Sequence, residues 1–207
     1  MTNKGILLFG GTFDPIHNGH LQIVKNVASQ LGVDRAILVP ASQPPHKNGE
    51  EITSAEHRLA MCRLAIQDEP TLEVSDCELQ RDGISFTIDT LDHFRREYGA
   101  DVQLYWLIGA DTIKELPTWY RIGELADKCT LVTAARSGYN RDDLESLSGV
   151  LSERQITQIK SHVLNTPLID ISSTDLRRLF EKGQAPAGKL PGSVESYIRE
   201  NKLYGIS

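Results

Sequence analysis

The residues with most capacity for chemistry stand together in one stretch, Gly10-Gly11-Thr12-Phe13-Asp14-Pro15-Ile16-His17-Asn18-Gly19-His20. His17 and His20 are three apart where a helical pattern begins, so both rings can project from one face toward the same point. Gly10 and Gly11 are expected to let the backbone turn sharply and come close to a ligand. The helix that follows would direct N–H groups and a partial positive charge at the same place. Two imidazoles beside a helix N-terminus form a phosphate clamp. A metal site with Asp14, His17 and His20 as ligands is the competing reading, but its spacing matches none of the usual zinc arrangements. A lone histidine near a helix start is more often a cap or a solvated side chain. Two at this spacing, directly after a glycine pair, favour function. The stretch has no G-K-[ST] and no G-x-G-x-x-G, so it is neither a Walker A loop nor a dinucleotide fingerprint.

The elements that must position this loop read as alternating short apolar runs and amphipathic stretches, the pattern of strand-helix-strand units. Strands are expected at Gly5 to Phe9, Ala36 to Pro40, Leu72 to Ser75, Val102 to Ile108, Thr130 to Ala134 and Leu168 to Ile171. Helices are expected from about Gly19 to Leu31, ended by Gly32, and after Thr53 and Glu56, which have capping-box spacing. Another carries the stripe Ile88, Leu91, Phe94 and Tyr98, and two more, Thr174 to Lys182 and Ser193 to Asn201, finish the chain. Arg136 to Ser152 is polar and reads as an exposed connection. The fold class is therefore α/β, a Rossmann-like doubly wound parallel sheet with helices on both faces, with residues 1–207 as one domain. In such a sheet the loop after the first strand lies at the ligand-binding edge.

Bulk composition narrows the class further. The chain has 207 residues, 40% hydrophobic and 24% charged, enough to bury a core without disulfides or a structural metal. Cys62, Cys77 and Cys129 are odd in number and widely spaced, and read as core thiols of a reducing, cytoplasmic compartment. The N-terminal apolar run meets glycine at once, too short for a signal peptide or a membrane span. A net charge of -6 argues against a nucleic-acid-binding face. Anionic small molecules stay within reach, because local donors hold phosphates inside acidic proteins. A homo-oligomer is compatible with all of this.

The loop Gly10 to His20 closely resembles the (H/T)-x-G-H signature of the nucleotidyltransferase superfamily, and in its full form that of bacterial nicotinate mononucleotide adenylyltransferases. Ile171-Ser172-Ser173-Thr174-Asp175-Leu176-Arg177 follows the last expected strand and opens a helix, a second anion site by its hydroxyls, N–H groups and arginine. It resembles the superfamily's I-S-x-T-x-x-R motif, which implies that Ile171, Ser173, Thr174 and Arg177 hold the distal phosphates of ATP. Pro44-Pro45-His46-Lys47 resembles the P-P-H-(K/R) stretch and implies a phosphate-binding Lys47. Gly109 and Asp111, after the long strand, resemble the G-x-D segment at the nucleoside portions. Trp119 and Tyr120 offer an aromatic surface, and the family pattern lays the tryptophan against a pyridine ring, with Ser85-Phe86-Thr87 contributing Thr87. Phe86 stands where that pattern has tyrosine. The resemblance covers nearly the whole chain and is weakest from Arg136 to Thr166.

The implied reaction is attack by the phosphate of nicotinate mononucleotide on the α-phosphorus of ATP, giving deamido-NAD and pyrophosphate. The nucleophile is already an anion, so the site must supply positioning and donors rather than a base. His17 and His20, the latter the more important, belong at the α-phosphate, and Lys47, Ser173, Thr174 and Arg177 at the rest of the triphosphate. Magnesium is expected on the phosphates. A preference for the acid over the amide requires donors and no buried anion at the ring's carboxyl end, with Thr87 and the backbone N–H groups of Trp119 and Tyr120 as donors. Phosphopantetheine or nicotinamide mononucleotide as acceptor would change only the far pocket. An aminoacyl-tRNA synthetase is disfavoured by the absence of K-M-S-K-S, and a non-enzymatic nucleotide sensor would have no use for the two histidines.

Overall fold

Leucine- and β-branched-rich runs pair into one six-stranded parallel sheet in the computed structural model, which describes residues 5–45, 52–135, 139, 141–167 and 169–206. The strands are β1 (Gly5–Gly11), β2 (Ala36–Pro40), β3 (Leu72–Val74), β4 (Gln103–Gly109), β5 (Thr130–Ala135) and β6 (Val163–Asn165). Their order is β3-β2-β1-β4-β5-β6. The helices are α1 (Asn18–Leu31), α2 (Ala55–Ala65), α3 (Thr87–Tyr98), α4 (Ile122–Lys128), α5 (Glu153–Ser161), α6 (Ser173–Glu181) and α7 (Gly192–Glu200). Side chains alternate across each strand, so the central strands feed two cores. Leu8, Ile37 and Trp106 face the core roofed by α3, α4 and α5, while Leu7, Leu38 and Leu107 face the one roofed by α1, α2, α6 and α7. The doubly wound architecture is as the sequence predicts. Strand order reverses between β1 and β4, which opens a crevice at their carboxyl ends.

Three local expectations are corrected. The sixth strand is Val163–Asn165, not Leu168 to Ile171. Thr166 N–H makes the last bond toward β5, to the Ala135 carbonyl at 2.8 Å, and Pro167, which has no N–H, stops the pairing there. Ile169 to Ile171 run on outside the sheet. The stretch Arg136 to Ser152 is not merely an exposed connection: a 3-10 helix over Arg141–Gly149 buries Leu144 and Leu147, and Leu151 follows them into the core. The helix after it, α5, is opened by a Ser152/Gln155 capping box, an S-x-x-Q spacing readable in the sequence. The cap of α2 is Ser54, whose hydroxyl accepts the His57 N–H, rather than Thr53.

Gly10 and Gly11 do not make a sharp turn. They are the last residues of β1, in register with Val39 and Pro40. Their lack of a side chain serves packing: a Cβ on Gly10 would lie 2.4 Å from Cζ2 of Trp106, and one on Gly11 2.9 Å from Cζ of Phe13. Gly10→Ala is therefore an overpacking change, expected to cost roughly 1–3 kcal/mol and to lower Tm by roughly 3–10 °C. A thermal melt of the variant matching the parent's would show that Trp106 has room to move.

Candidate active site

His17 is the N-cap of α1, and its ring serves the backbone. Its Nδ1 accepts the His20 N–H at 3.4 Å, while Nδ1 of His20 accepts the His17 N–H at 3.3 Å, a reciprocal capping box made of two histidines. The rings stack with centroids 3.7 Å apart and planes 19° from parallel. Because both Nδ1 atoms accept, the ring protons sit on Nε2. Burial pushes His17 down to about 4; burial and then the adjoining His17 ring push His20 well below the usual range. The pair is a set of two neutral donors, not two cations. Gly19 makes the arrangement possible, since a Cβ there would stand 2.9 Å from His17 Nδ1. The α1 terminus offers less than the sequence promises, for Asn18 N–H is taken by the Lys189 carbonyl at 3.0 Å and His20 N–H by His17.

The loop that delivers these rings is tied down from four directions. The Arg58 guanidinium, 1% exposed, donates to the carbonyls of Thr12 at 2.7 Å, Thr53 at 2.8 Å and Ser42 at 3.2 Å. Burial pushes Arg58 down, and neighbouring Asp14 pulls it back. The Asp14 carboxylate accepts the Tyr204 hydroxyl at 2.7 Å and the Thr53 N–H at 3.2 Å, so the metal reading of Asp14, His17 and His20 has lost its carboxylate. From α6, Ser173 Oγ donates to the Pro15 carbonyl at 2.9 Å and Arg177 Nη1 to the Asp14 carbonyl at 2.8 Å. Phe13, at φ 50°, turns its ring edge-on to Phe9 and His20 and supports His20 from below.

Two cavities open on either side of the β1/β4 crevice, and Phe9, Leu107, Ile108 and Gly109 line both. One, of about 230 Å³, is walled by Gly10, Gly11, Thr12, Thr87, Trp119 and Tyr120. The other, of about 320 Å³, is walled by Asp111, Ala134, Thr166 and Ile169. His20 packs against Phe9 at 5.9 Å between ring centroids, beside the divide between them. Asp111 and Thr174 are exposed and Ile171 is half-buried. Lys47 lies outside the described residues. Trp119 keeps its place, but its N–H is spent on the Leu116 carbonyl at 3.0 Å. Tyr120 leans on Phe86, centroids 4.6 Å apart. α3 starts at Thr87 with no side-chain cap; its Asp89 N–H goes to the Phe86 carbonyl at 3.1 Å, which leaves the N–H groups of Thr87 and Ile88 for a ligand.

Arg58, Tyr204 and Glu78 were not foreseen as site residues. Arg58 and Tyr204 sit inside ordinary helix and tail patterns far from the loop they hold. Glu78, 4% exposed, lines the Trp119 cavity, against the expectation of no buried anion there.

Residues 8–179 match the cytidylyltransferase-like family model. Among curated relatives, a Moorella thermoacetica protein named "Probable nicotinate-nucleotide adenylyltransferase" is 40% identical over 197 residues, 95% of this chain and 90% of the relative. One of the same name from Klebsiella pneumoniae is 38% identical over 207 residues, 95% of each. Among solved structures, Plasmodium falciparum nicotinic acid mononucleotide adenylyltransferase complexed with NaAD superposes with TM-score 0.76 at 18% identity, over 98% of each chain.

The histidine pair has a measurable acid limb. A group near 6.5 when unfolded and about 4 when folded leaves the folded state fully stable above 6.5. Stability is lost as pH falls from there to and through about 4, because the unfolded chain binds the proton first. The His17 contribution is on the order of 3 kcal/mol. In urea unfolding followed from pH 7 to pH 4, His17→Asn should lose this part of the pH dependence while keeping a capping side chain. An unchanged slope in the variant would refute the buried neutral assignment.

Proposed function

The chain belongs to the cytidylyltransferase-like family, and from that membership, its relatives and the paired cavities we infer that it is a nicotinate-nucleotide adenylyltransferase. It transfers the adenylyl group of ATP to nicotinate mononucleotide, releasing pyrophosphate and forming deamido-NAD, a step of NAD biosynthesis. The observation that carries the reading is the pair of cavities meeting at Phe9 and Gly109 with the histidine pair beside the divide. A dinucleotide product needs two nucleoside sites sharing one phosphate centre, and this crevice has that form. Buried thiols at Cys62, Cys77 and Cys129 suit a reducing cytoplasm.

The roles follow from the chemistry. ATP lies with its nucleoside toward Gly109 and Asp111, and the mononucleotide's ring enters the Trp119 cavity, where the indole covers it. The open α3 terminus at Thr87 receives the ring carboxylate. In-line attack by the acceptor phosphate on the α-phosphorus breaks the bond to the β-phosphate bridging oxygen, and that electron pair leaves with pyrophosphate. No proton need move at the nucleophile. His17 and His20 give Nε2–H bonds to the α-phosphate oxygens as their charge redistributes, and neutrality suits them to this task because no proton is surrendered. Lys47, Thr174 and the remaining guanidinium N–H groups of Arg177 face the β- and γ-phosphates, while Ser173 and one arm of Arg177 brace the Asp14-Pro15 backbone. Magnesium would ride on phosphate oxygens and neutralise part of their charge, since Asp14 is already satisfied by Tyr204 and Thr53.

Two measurements test the reading. His20→Ala should reduce kcat by roughly a hundredfold or more, the scale for losing a donor aimed at transition-state charge, with the fold retained by circular dichroism; near-normal turnover removes His20 from the mechanism. Side-by-side kcat/KM values with ATP, magnesium and each of nicotinate mononucleotide, nicotinamide mononucleotide and phosphopantetheine should rank nicotinate mononucleotide first. Phosphopantetheine in first place would keep adenylyl transfer and discard the acceptor.

A further inference from the structure

The C-terminal tail is tied by a polar contact to the loop that carries the histidine pair. After α7 the chain curls back through Lys202 at φ 52°, Tyr204 at φ 57° and Gly205 at φ 75°. Left-handed backbone at residues with a Cβ is unfavourable and persists only where the surrounding structure holds it. Leu203 and Ile206 dock the tail on the core around α6 and α7, and the Tyr204 ring lies against Phe180 with centroids 6.0 Å apart. This packing has no need of a hydroxyl. Yet Tyr204 Oη donates to Asp14 Oδ1 at 2.7 Å across 190 residues of sequence, and Asp14 is 3% exposed and stands just before the His17 cap of α1. We propose that Tyr204 is a positioning residue for adenylyl transfer, acting through Asp14 on the stretch 14–17 and so on the direction of the His17 and His20 rings. The inference rests on the transfer reading above.

The path from the phenol to the rings is short and made of observed bonds. Asp14 Oδ1 takes the Tyr204 hydroxyl and Oδ2 the Thr53 N–H at 3.2 Å, while the Asp14 and Pro15 carbonyls take Arg177 and Ser173. Side chain and main chain of one residue are thus held by different elements, and the fully buried Ile16 leads straight on to His17. A buried carboxylate that loses a charge-assisted bond turns toward another donor. Arg58 is at hand, since Asp14 already acts on its charge. But that guanidinium holds the carbonyls of Thr12, Ser42 and Thr53, and drawing it toward the carboxylate would slacken its bond to Thr12 in the same loop. The hydroxyl therefore satisfies Asp14 without competition for Arg58. Without it, the loop behind the ring pair has two conflicting demands on one fork of donors, and in-line transfer is sensitive to the small misplacements that follow.

The test compares Tyr204→Phe with the wild type in steady-state kinetics with ATP, magnesium and nicotinate mononucleotide, at a temperature where both are fully folded. Phenylalanine keeps the ring against Phe180 and removes only the donor. kcat should fall by about tenfold or more while KM for either substrate changes by less than about threefold, the split expected when donors aimed at the transition state are misdirected. A hydroxyl that only stabilised the fold would lower Tm and leave kcat alone. In an Asp14→Ala background, Tyr204→Phe should change kcat by less than about twofold, because the two residues act as one unit. A further readout needs no turnover: the imidazole nitrogen NMR resonances of His17 and His20 should move in Tyr204→Phe. The proposal is overturned if kcat matches the wild type, if KM alone moves, if the loss is as large in the Asp14→Ala background, or if those resonances stay in place. If Tyr204→Phe or Asp14→Ala does not fold, Asp14→Asn, which keeps the shape and weakens the bond to a neutral one, must lower kcat with KM held for the proposal to stand. A wild type inactive on ATP and nicotinate mononucleotide would instead refute the transfer reading, and the resonances would still decide whether Tyr204 orients the pair.

Discussion

A single buried guanidinium holds together three segments that would otherwise have no reason to meet. Arg58 projects from α2 and donates to the carbonyls of Thr12, Ser42 and Thr53, one from the loop after β1 and two from the connection between β2 and α2. Carbonyl oxygens at strand ends are acceptors left over when the ladder stops, and burying them unpaired costs about 1–3 kcal/mol each. A planar fork with five donors satisfies several at once, which an ammonium on a flexible stem does less well. The charge is compensated in part by Asp14, which is itself held by Tyr204 from the C-terminal tail and by the Thr53 N–H. The α1 entry therefore depends on a network reaching from residue 12 to residue 204.

That constraint explains how two histidines remain neutral donors. A solvated loop would leave both imidazoles near their ordinary range and free to rotate. With the 12–15 backbone held by Arg58, Ser173 and Arg177, the rings are pressed into a stack and their Nδ1 atoms are spent on each other's backbone N–H. The same contact fixes tautomer, orientation and protonation. The orientation of the ring pair is thus set by contacts behind it, and in-line transfer at such a pair would be sensitive to small misplacements.

Much of this was legible in the sequence where the signal is local. β1, β2, β4 and β5 are short apolar runs bounded by glycine, proline or polar residues, and α1 and α3 carry clean helical stripes. The spacing of His17 and His20 gave their proximity, and Trp119 and Thr87 lie in one cavity as the resemblance implies. What failed was information carried by distant partners. Leu168 to Ile171 has strand composition, yet Val163–Asn165 pairs with β5 because Pro167 closes the ladder before that run is reached. Gly10 and Gly11 looked like turn residues, and only the position of Trp106 and Phe13 reveals them as packing vacancies in a straight strand. Arg58 and Glu78 look like solvated charges in one dimension and become buried polar groups only when the sheet is assembled.

The electrostatics of the crevice follow a consistent logic once these pieces are joined. Two anionic substrates must enter a chain whose net charge is -6, and a broad basic surface is not how it is done. On the proposed reading, charge is met locally by neutral N–H donors on His17 and His20, by helix termini at Thr87 and Ser173, and by single cations such as Arg177 that are already anchored to the backbone. Neutral donors in a dry crevice gain strength from the low local dielectric without the desolvation cost of a buried cation. A net charge of -6 is unfavourable to extended polyanions at long range, whereas neutral donors in a crevice act at hydrogen-bond range.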